Sequence, residues 1–167
     1  MIPRGFSFSA VNVGIKTPAY EGLDLGLISC STQAVLSGVF TRNLIKAAPV
    51  LIGMDLVKKG TARAIIANAG NANACTGQQG LDDAHAIQEA AASRLGVMID
   101  DVIPMSTGTI GVKMPVDRIL TKIPQLVKCL SYDKDSFARS IMTIIHPLRF
   151  TGNQETGNAV QTAGMAP

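Results

Sequence analysis

Two short segments rich in Gly, Asn, Ser and Thr, each placed after an apolar run, constrain the fold of this chain most. Residues 68–77 read Asn-Ala-Gly-Asn-Ala-Asn-Ala-Cys-Thr-Gly and follow the apolar run 62–67. Residues 106–111 read Ser-Thr-Gly-Thr-Ile-Gly and follow the apolar run 102–105. Each segment precedes a helix-like stretch, which predicts two strand-to-helix connections whose backbone N–H groups and hydroxyls face outward. Such groups can hydrogen-bond a carboxylate or a developing negative charge.

The composition is typical of a well-packed globular protein rather than a disordered one. The chain has 167 residues, of which 47% are hydrophobic and 16% are charged, which suits one domain or one large part of a two-part fold. Aromatic residues make up only 4%, Trp is absent, and the net charge of +3 is spread along the chain. Because stacking platforms and basic patches are missing from the sequence, we expect no nucleic-acid binding.

The sequence carries no signal for a membrane, a secretory route or a metal. No apolar run approaches the roughly 18–20 residues that span a bilayer, and the first residues lack a secretory signal. The three cysteines, Cys30, Cys75 and Cys129, fit reduced thiols in a cytoplasmic protein better than a disulfide frame. Cys75 has no His near it in sequence, so we predict a small buried thiol rather than a nucleophile. With only two histidines and no ligand cluster, we expect no metal site.

Strand-like and helix-like segments alternate along the chain, which predicts a mixed α/β fold of packed layers. The predicted strands are residues 24–31, 34–41, 62–67 and 102–105. The first two are expected to form a hairpin through residues 31–33. The predicted helices are residues 49–59, 81–95 and 115–130. Pro124 should kink or split the last helix. Residues 1–150 are expected to form the α/β domain, and residues 151–167 a polar C-terminal tail.

Several motifs, in their order along the chain, resemble the ornithine acetyltransferase family from Gly5 to about Thr143. The two segments described above belong to this ordered set. Its other members are Gly14-Ile-Lys16, Asp24-Leu-Gly-Leu-Ile28, Gly38-Val-Phe-Thr-Arg-Asn43, Ala47-Ala-Pro-Val50, Met114-Pro-Val-Asp117 and Ile141-Met-Thr143. Each motif alone is weak, but the ordered set is specific.

The resemblance implies an enzyme of arginine biosynthesis that transfers an acetyl group from N-acetylornithine to glutamate. In that family a precursor cleaves itself into an α and a β chain, and the new N-terminal Thr of the β chain is the nucleophile, activated by its own α-amine. This sequence would be the α chain of an N-terminal-nucleophile-like architecture completed by the β chain, in an α2β2 or larger assembly. The mechanism would be ping-pong through an acyl-enzyme. No cofactor is implied, although some members also take the acetyl group from acetyl-CoA.

The resemblance also assigns roles to single residues. The Thr107 hydroxyl and the Gly108 N–H would form an oxyanion hole, since a short hydroxyl beside a residue without Cβ lets two donors converge on one oxygen. The alternative is an ordinary Ser/Thr-Gly turn. Thr143 matches a position that contacts the substrate, but a lone Thr near a helix end is equally typical of a capping residue.

Four further residues are expected to support the oxyanion segment from behind: Asn68, Asn71, Asn73 and Ser106. An alternative reading of the asparagines is that they supply left-handed turn conformations, and both readings can hold together.

The sequence departs from the family pattern in two places, which keeps two other functions open. The family end Lys-Gly-Ser/Ala-Gly-Met is here Gly164-Met-Ala-Pro167, without the Lys, and Ile-Met-Thr-Thr-Asp-Thr is here Ile-Met-Thr-Ile-Ile-His over residues 141–146. The first alternative is a subunit of an N-terminal-nucleophile amidohydrolase or aminopeptidase. The second is a non-catalytic α-like fragment.

Overall fold

A four-stranded sheet is the frame of the protein, seen in a computed structural model that describes residues 3–142. Its strands are β1 (Phe6–Val11), β2 (Leu25–Val35), β3 (Thr61–Asn71) and β4 (Val102–Thr109), in the spatial order β1-β2-β3-β4. The pairs β1–β2 and β2–β3 are antiparallel, whereas β3–β4 is parallel. Within the described chain β4 pairs with β3 alone, so it is an edge strand.

Within the described residues, four helices accompany the sheet, and they confirm the three predicted from sequence. They are α1 (Ala48–Leu56), α2 (Gly77–Leu95), α3 (Val116–Lys128) and α4 (Lys134–Ser140). Short 3-10 turns, Val57–Lys59 and Ile99–Asp101, follow α1 and precede β4. Helix α2 is the crossover that a parallel pair of strands requires between them. Helix α4 packs on β1. Neither of these two elements was predicted from sequence.

Two hydrophobic clusters hold the layers together. The larger joins one face of the sheet to α2 and α3 through side chains such as Leu25, Ile66, Ile87 and Ile119. The smaller packs α1, through side chains such as Ile52, against the first residues of β3 and β4.

Helix α4 covers the opposite face of the sheet. Side chains alternate along a strand, so Phe8 and Gly26 face away from Leu25. The Phe137 ring of α4 lies 6.4 Å from the Phe8 ring, and a Cβ added at Gly26 would lie 2.7 Å from Phe137 Cδ2. The glycine therefore gives α4 room to approach.

The predicted hairpin at residues 31–33 is wrong, because β2 runs straight through it. The strand changes register against β3 between Ser29 and Ala34 instead of turning back. In that irregular stretch the Arg63 guanidinium donates to the carbonyls of Cys30 and Ser31, at 3.1 and 2.8 Å. These bonds satisfy backbone groups that the ladder leaves free. Of the predicted strand 34–41, only its first two residues belong to β2.

Helix α3 is not split at Pro124, contrary to one of the two expectations for that residue. Pro124 lies inside the helix and is exposed, so the carbonyl freed by its missing N–H can bond to water. Ile119, Ile123 and Leu126 are buried at helical spacing on the inner face, so the helix packs on the core on both sides of Pro124.

The small-residue segments begin inside the sheet rather than after it, which corrects the predicted strand ends. Asn68 to Asn71 belongs to β3, and Ser106 to Thr109 belongs to β4. Pairing between the two strands provides partners for backbone groups that we expected to face outward. The predicted division into residues 1–150 and 151–167 stays a prediction, because residues 143–167 lie outside the described chain.

Cys75 is exposed, so the prediction of a buried thiol there is wrong. The chain has left the sheet by this point, and Cys75 lies in the connection to α2 with φ +57°. None of the helices in residues 3–142 has the length and apolar character needed to cross a membrane.

Candidate functional site

The two small-residue segments lie side by side where the parallel strands β3 and β4 end. In the pairing register, Asn68 is opposite Ser106, Ala69 is opposite Thr107, and Gly70 is opposite Gly108. Carboxyl ends of parallel strands meet at one edge of a sheet, which is the usual place for a site in such folds. The structure thus brings together Thr107, Gly108, Asn68, Asn71, Asn73 and Ser106, whose roles remain predictions.

The backbones of Gly70 and Gly108 approach too closely for a side chain. Both residues have positive φ, +110° and +137°. A Cβ added at Gly108 would overlap the carbonyl carbon of Gly70 and lie 2.5 Å from the Asn71 nitrogen. Asn71 pairs with both Thr107 and Thr109, which marks a bulge in the ladder at this point. Main-chain atoms therefore form this part of the site, and glycine is required.

The Thr107 side chain is exposed, and its hydroxyl makes no hydrogen bond within residues 3–142. Side chains alternate along β4, so Thr107 and Ser106 point to opposite faces. Ser106 points inward and is engaged with Asn68, whereas Thr107 points away from that pair. The hydroxyl at position 107 is therefore available to donate to an oxygen from outside the described chain.

Asn68 ties the two strands together from the buried side. Ser106 Oγ donates to Asn68 Oδ1 at 2.6 Å, and Asn68 Nδ2 donates to the Asn71 carbonyl at 2.9 Å. Asn68 is only 4% exposed. Both polar ends of its side chain thus make hydrogen bonds, one to the Ser106 side chain of β4 and one to the β3 backbone, and the supporting role stays a prediction.

Asn71 holds the chain that follows β4. Its Nδ2 donates to the carbonyls of Val112 and Lys113 at 3.0 and 3.2 Å. Its Oδ1 accepts from the Asn73 backbone N–H at 2.8 Å. A buried amide that makes three such bonds fixes the loop on which Gly111 returns toward α3.

Asn73 adopts the left-handed conformation that was one of the two readings offered by the sequence, and its side chain bonds toward α2. Its φ is +47°, the left-handed conformation that Asn tolerates. Its buried side chain also donates to the Gly80 carbonyl at 2.8 Å and accepts from Thr76 Oγ1 at 2.8 Å. Asn73 therefore turns the chain out of β3 and anchors the first turn of α2.

Asp24 is a buried residue to which sequence reasoning assigned no role. Its two carboxylate oxygens accept from the backbone N–H groups of Val13 and Ile15, at 2.7 and 2.6 Å. Its own carbonyl accepts from Ala69 N at 2.9 Å. Asp24 thereby fixes the loop after β1 beside β3. A polar residue directly before an apolar strand was the available signal, but its partners lie more than eight residues away.

The remaining sequence predictions concern the substrate contact, a metal site and the histidines. Thr143, the expected substrate contact, lies outside them. Within residues 3–142, no three His, Cys, Asp or Glu side chains are placed to hold a metal ion together. The imidazole of His85 has its Nδ1 3.2 Å from Gln88 Oε1 on the same helix.

Comparison with known proteins confirms the family that the ordered motifs resemble. The ArgJ family profile matches residues 7–166. The chain is 46% identical over 141 residues to the arginine biosynthesis bifunctional protein ArgJ of Geobacter sulfurreducens, covering 84% of this chain and 35% of that protein. It is 38% identical over 169 residues to the same protein of Thermotoga neapolitana, covering 99% and 42%. The chain thus spans well under half the length of these curated relatives.

Two solved structures have a similar fold. Ornithine acetyltransferase of Mycobacterium tuberculosis, complexed with ornithine, gives a TM-score of 0.80 at 39% identity, over 84% of this chain and 77% of that chain. The arginine biosynthesis bifunctional protein ArgJ of Bacillus halodurans gives a TM-score of 0.76 at 34% identity, over 84% and 73%. The predicted mixed α/β fold class is confirmed. With nearly its whole length matched, the chain belongs to the ArgJ family.

Proposed function

We propose that this chain is the α subunit of an acetyltransferase of arginine biosynthesis, which moves an acetyl group from N-acetylornithine to glutamate. The nucleophile would be the N-terminal Thr of a β chain produced by autocatalytic cleavage of a common precursor. One observation carries the proposal: an exposed Thr107 hydroxyl stands beside Gly108 at the paired ends of β3 and β4. Membership of the ArgJ family and similarity to an ornithine acetyltransferase support it.

The reaction proceeds in two acyl transfers. The β-chain Thr hydroxyl attacks the acetyl carbonyl carbon of N-acetylornithine and gives its proton to the α-amine of the same Thr. The tetrahedral intermediate collapses, the C–N bond breaks, and ornithine leaves with that proton. The amine of glutamate then attacks the acyl-enzyme ester and passes a proton to the α-amine. Collapse releases N-acetylglutamate and restores the Thr hydroxyl.

The α chain stabilises the oxyanion formed in both steps. The Thr107 hydroxyl and the Gly108 N–H donate to it, and a single donor of this kind is worth about 10²–10³ in turnover. Donors act best when they need no rearrangement during the reaction. The contacts of Asn68 and Asn71 described above hold the backbone of the segment in place before substrate binds.

The described residues supply no activated nucleophile of their own, which supports a nucleophile from a partner. Cys75 is exposed, and no basic side chain within residues 3–142 hydrogen-bonds to its thiol. His85 is engaged with Gln88. We therefore expect the α chain alone to be catalytically inactive.

An exposed apolar segment beside α1 supports a partner chain. Val35, Val39 and Leu44 are 91%, 100% and 95% exposed, and Ile45 is 68% exposed. Clustered exposed apolar residues are typical of interaction surfaces. We propose an obligate α/β interface of more than about 2,000 Å² and an α2β2 or larger assembly in the cytoplasm.

Intact mass spectrometry and an acetyl-transfer assay on the complete gene product test the proposal. We expect two chains, the second beginning with Thr, and transfer from N-acetylornithine to glutamate without an added cofactor. Steady hydrolysis of the amide without glutamate would favour the amidohydrolase alternative. A single uncleaved chain without transfer would favour the non-catalytic alternative. Substituting acetyl-CoA for N-acetylornithine in the same assay tests it as a second acetyl donor.

A further inference from the structure

The loop of residues 12–18 after β1 is built to a fixed shape. The buried Asp24 carboxylate holds two of its N–H groups, as described above. Gly14 turns the loop with φ +75°, and its carbonyl accepts from Arg118 Nη1 of α3 at 3.2 Å. These hydrogen bonds connect the loop to the residue before β2 and to α3, so they fix the position of the loop.

Lys16 lies on this loop and touches the candidate site through its backbone. A Cβ added at Gly70 would lie 2.8 Å from both the Cα and the nitrogen of Lys16. Gly70 is the residue opposite Gly108 in the β3–β4 ladder. Lys16 is thus placed directly behind the paired strand ends, although it is 54 positions away from Gly70 in sequence.

The Lys16 ammonium reaches from there to the end of α4. Its Nζ donates to the Met142 carbonyl at 2.6 Å and to the Tyr20 hydroxyl at 3.0 Å, and it lies 4.3 Å from the centre of the Tyr20 ring. Hydrogen bonds from an ionised donor are about twice as strong as neutral ones. No carboxylate within residues 3–142 pairs with this ammonium. Its contacts there are the carbonyl, the hydroxyl and the ring.

We infer that Lys16 is a positioning residue: it ties the end of α4, at Met142, to the strand ends that carry Gly70 and Gly108. This tether fixes the position of the chain at Met142 relative to the strand ends of the candidate site. The oxyanion donors have their own supports in Asn68 and Asn71, so loss of the tether should affect substrate binding more than the chemical step. That catalytic consequence rests on the proposed acetyltransferase function, whereas the tether itself does not.

Lys16→Met in the complete two-chain protein tests the inference, because Met keeps the apolar stem and removes the charge. A charged hydrogen bond is worth about a factor of 10 or more in an equilibrium constant, so we expect KM for N-acetylornithine to rise about tenfold while kcat changes less than about twofold. Amide hydrogen exchange at residues 139–142 should accelerate. Lys16→Arg, which retains charge and donors, should restore most of both properties.

Lys58→Met is the matched control, since Lys58 is an exposed lysine whose carboxylate partner among residues 3–142 is Asp55 on the surface. It should change neither KM nor exchange at residues 139–142. Unchanged exchange in Lys16→Met would overturn the tether. Faster exchange with an unchanged KM would overturn the positioning role. If the unsubstituted protein transfers no acetyl group, the proposed function fails, and the exchange comparison still decides on the tether.

Discussion

Ser106 and Asn68 lie opposite each other on parallel strands, and the Ser106 hydroxyl donates to the Asn68 amide oxygen at 2.6 Å. Asn68 is buried, so this oxygen has no access to bulk water. The bond therefore couples the strand that carries Thr107 to the polar cluster at the end of β3.

Ser106→Ala should destabilise the protein by about 1–3 kcal/mol, because it leaves a buried acceptor without its donor. Chemical denaturation of the complete protein measures this. Ser93→Ala is the control, since Ser93 is exposed on α2 and should change stability by less than about 0.5 kcal/mol. Equal stability of the two variants would show that the Ser106 bond contributes nothing.

Thr107→Ala should raise the barrier to turnover by about 2.7–4 kcal/mol with little change in KM, because under the proposed function the lost hydroxyl acts on the transition state. The exposed position predicts an unchanged thermal midpoint. Thr107→Ser keeps the donor and should retain much of the activity. Steady-state kinetics and a melting curve on both variants check this. Near-normal turnover in the alanine variant would remove Thr107 from the mechanism.

Gly108→Ala should be more damaging than the same change at Gly60. Both residues have positive φ, so alanine is strained at either position by about 1–2 kcal/mol. A Cβ at Gly60 meets nothing within 4 Å, whereas one at Gly108 overlaps the Gly70 backbone. Thermal unfolding of the two variants separates conformational strain from close approach. Equal losses would mean that the two strands can move apart without penalty.

Asp101 should make the stability of the protein depend on acidic pH. Burial alone raises the pKa of Asp101, but hydrogen bonds from Lys59 and Gln33 and the charges of Lys59 and Arg63 outweigh it and hold the pKa below its usual value. The ionised form therefore stabilises the fold above the unfolded-state pKa of about 3.9. That stabilisation is lost as pH falls from about 4 through the folded-state pKa.

Asp101→Asn should lower stability by about 1–3 kcal/mol at neutral pH, and the difference from the unsubstituted protein should shrink below about pH 4. Denaturation curves across pH measure both effects. Asp55→Asn is the control: Asp55 also contacts a lysine, at 2.6 Å, but both side chains are 76% exposed. Water screens such a pair, so that variant should show no comparable pH-dependent loss. Parallel behaviour of the two variants would contradict the role of burial.

The sequence predicted the helices with the clearest local signals, but it missed one helix that has such a signal and also the elements that depend on distant partners. Helix α2 was predicted because Gly96 follows an Ala-rich stretch as a C-terminal cap, and the helix does end there with φ +67°. Helix α4 was missed although Asp133 caps it by accepting from the Asp135 and Ser136 N–H groups, a signal visible in the sequence. The continuous β2 was missed because its irregular stretch is supported by Arg63, which is 32 residues away from Ser31.

For the candidate site, the sequence indicated some of the residues but not the contacts between them. Thr107 and Gly108 could be grouped with Asn68 from sequence because the ordered motifs resemble a family whose active site both segments would form. Their close approach could not be predicted, because it depends on the register of β3 against β4. Lys16 reaches Met142 over 126 positions of the chain, and only the folded arrangement of β1 and α4 brings them together.

Strand β4 is both an edge of the described sheet and the carrier of Thr107 and Gly108. An open edge is a template onto which another polypeptide can add, at a spacing of about 4.8 Å. Any segment that docks there is delivered within reach of the Thr107 hydroxyl. Under the proposed function, a β chain that paired with this edge would cover a strand otherwise open to aggregation and would place its N-terminal Thr near Thr107, so assembly would complete the active site.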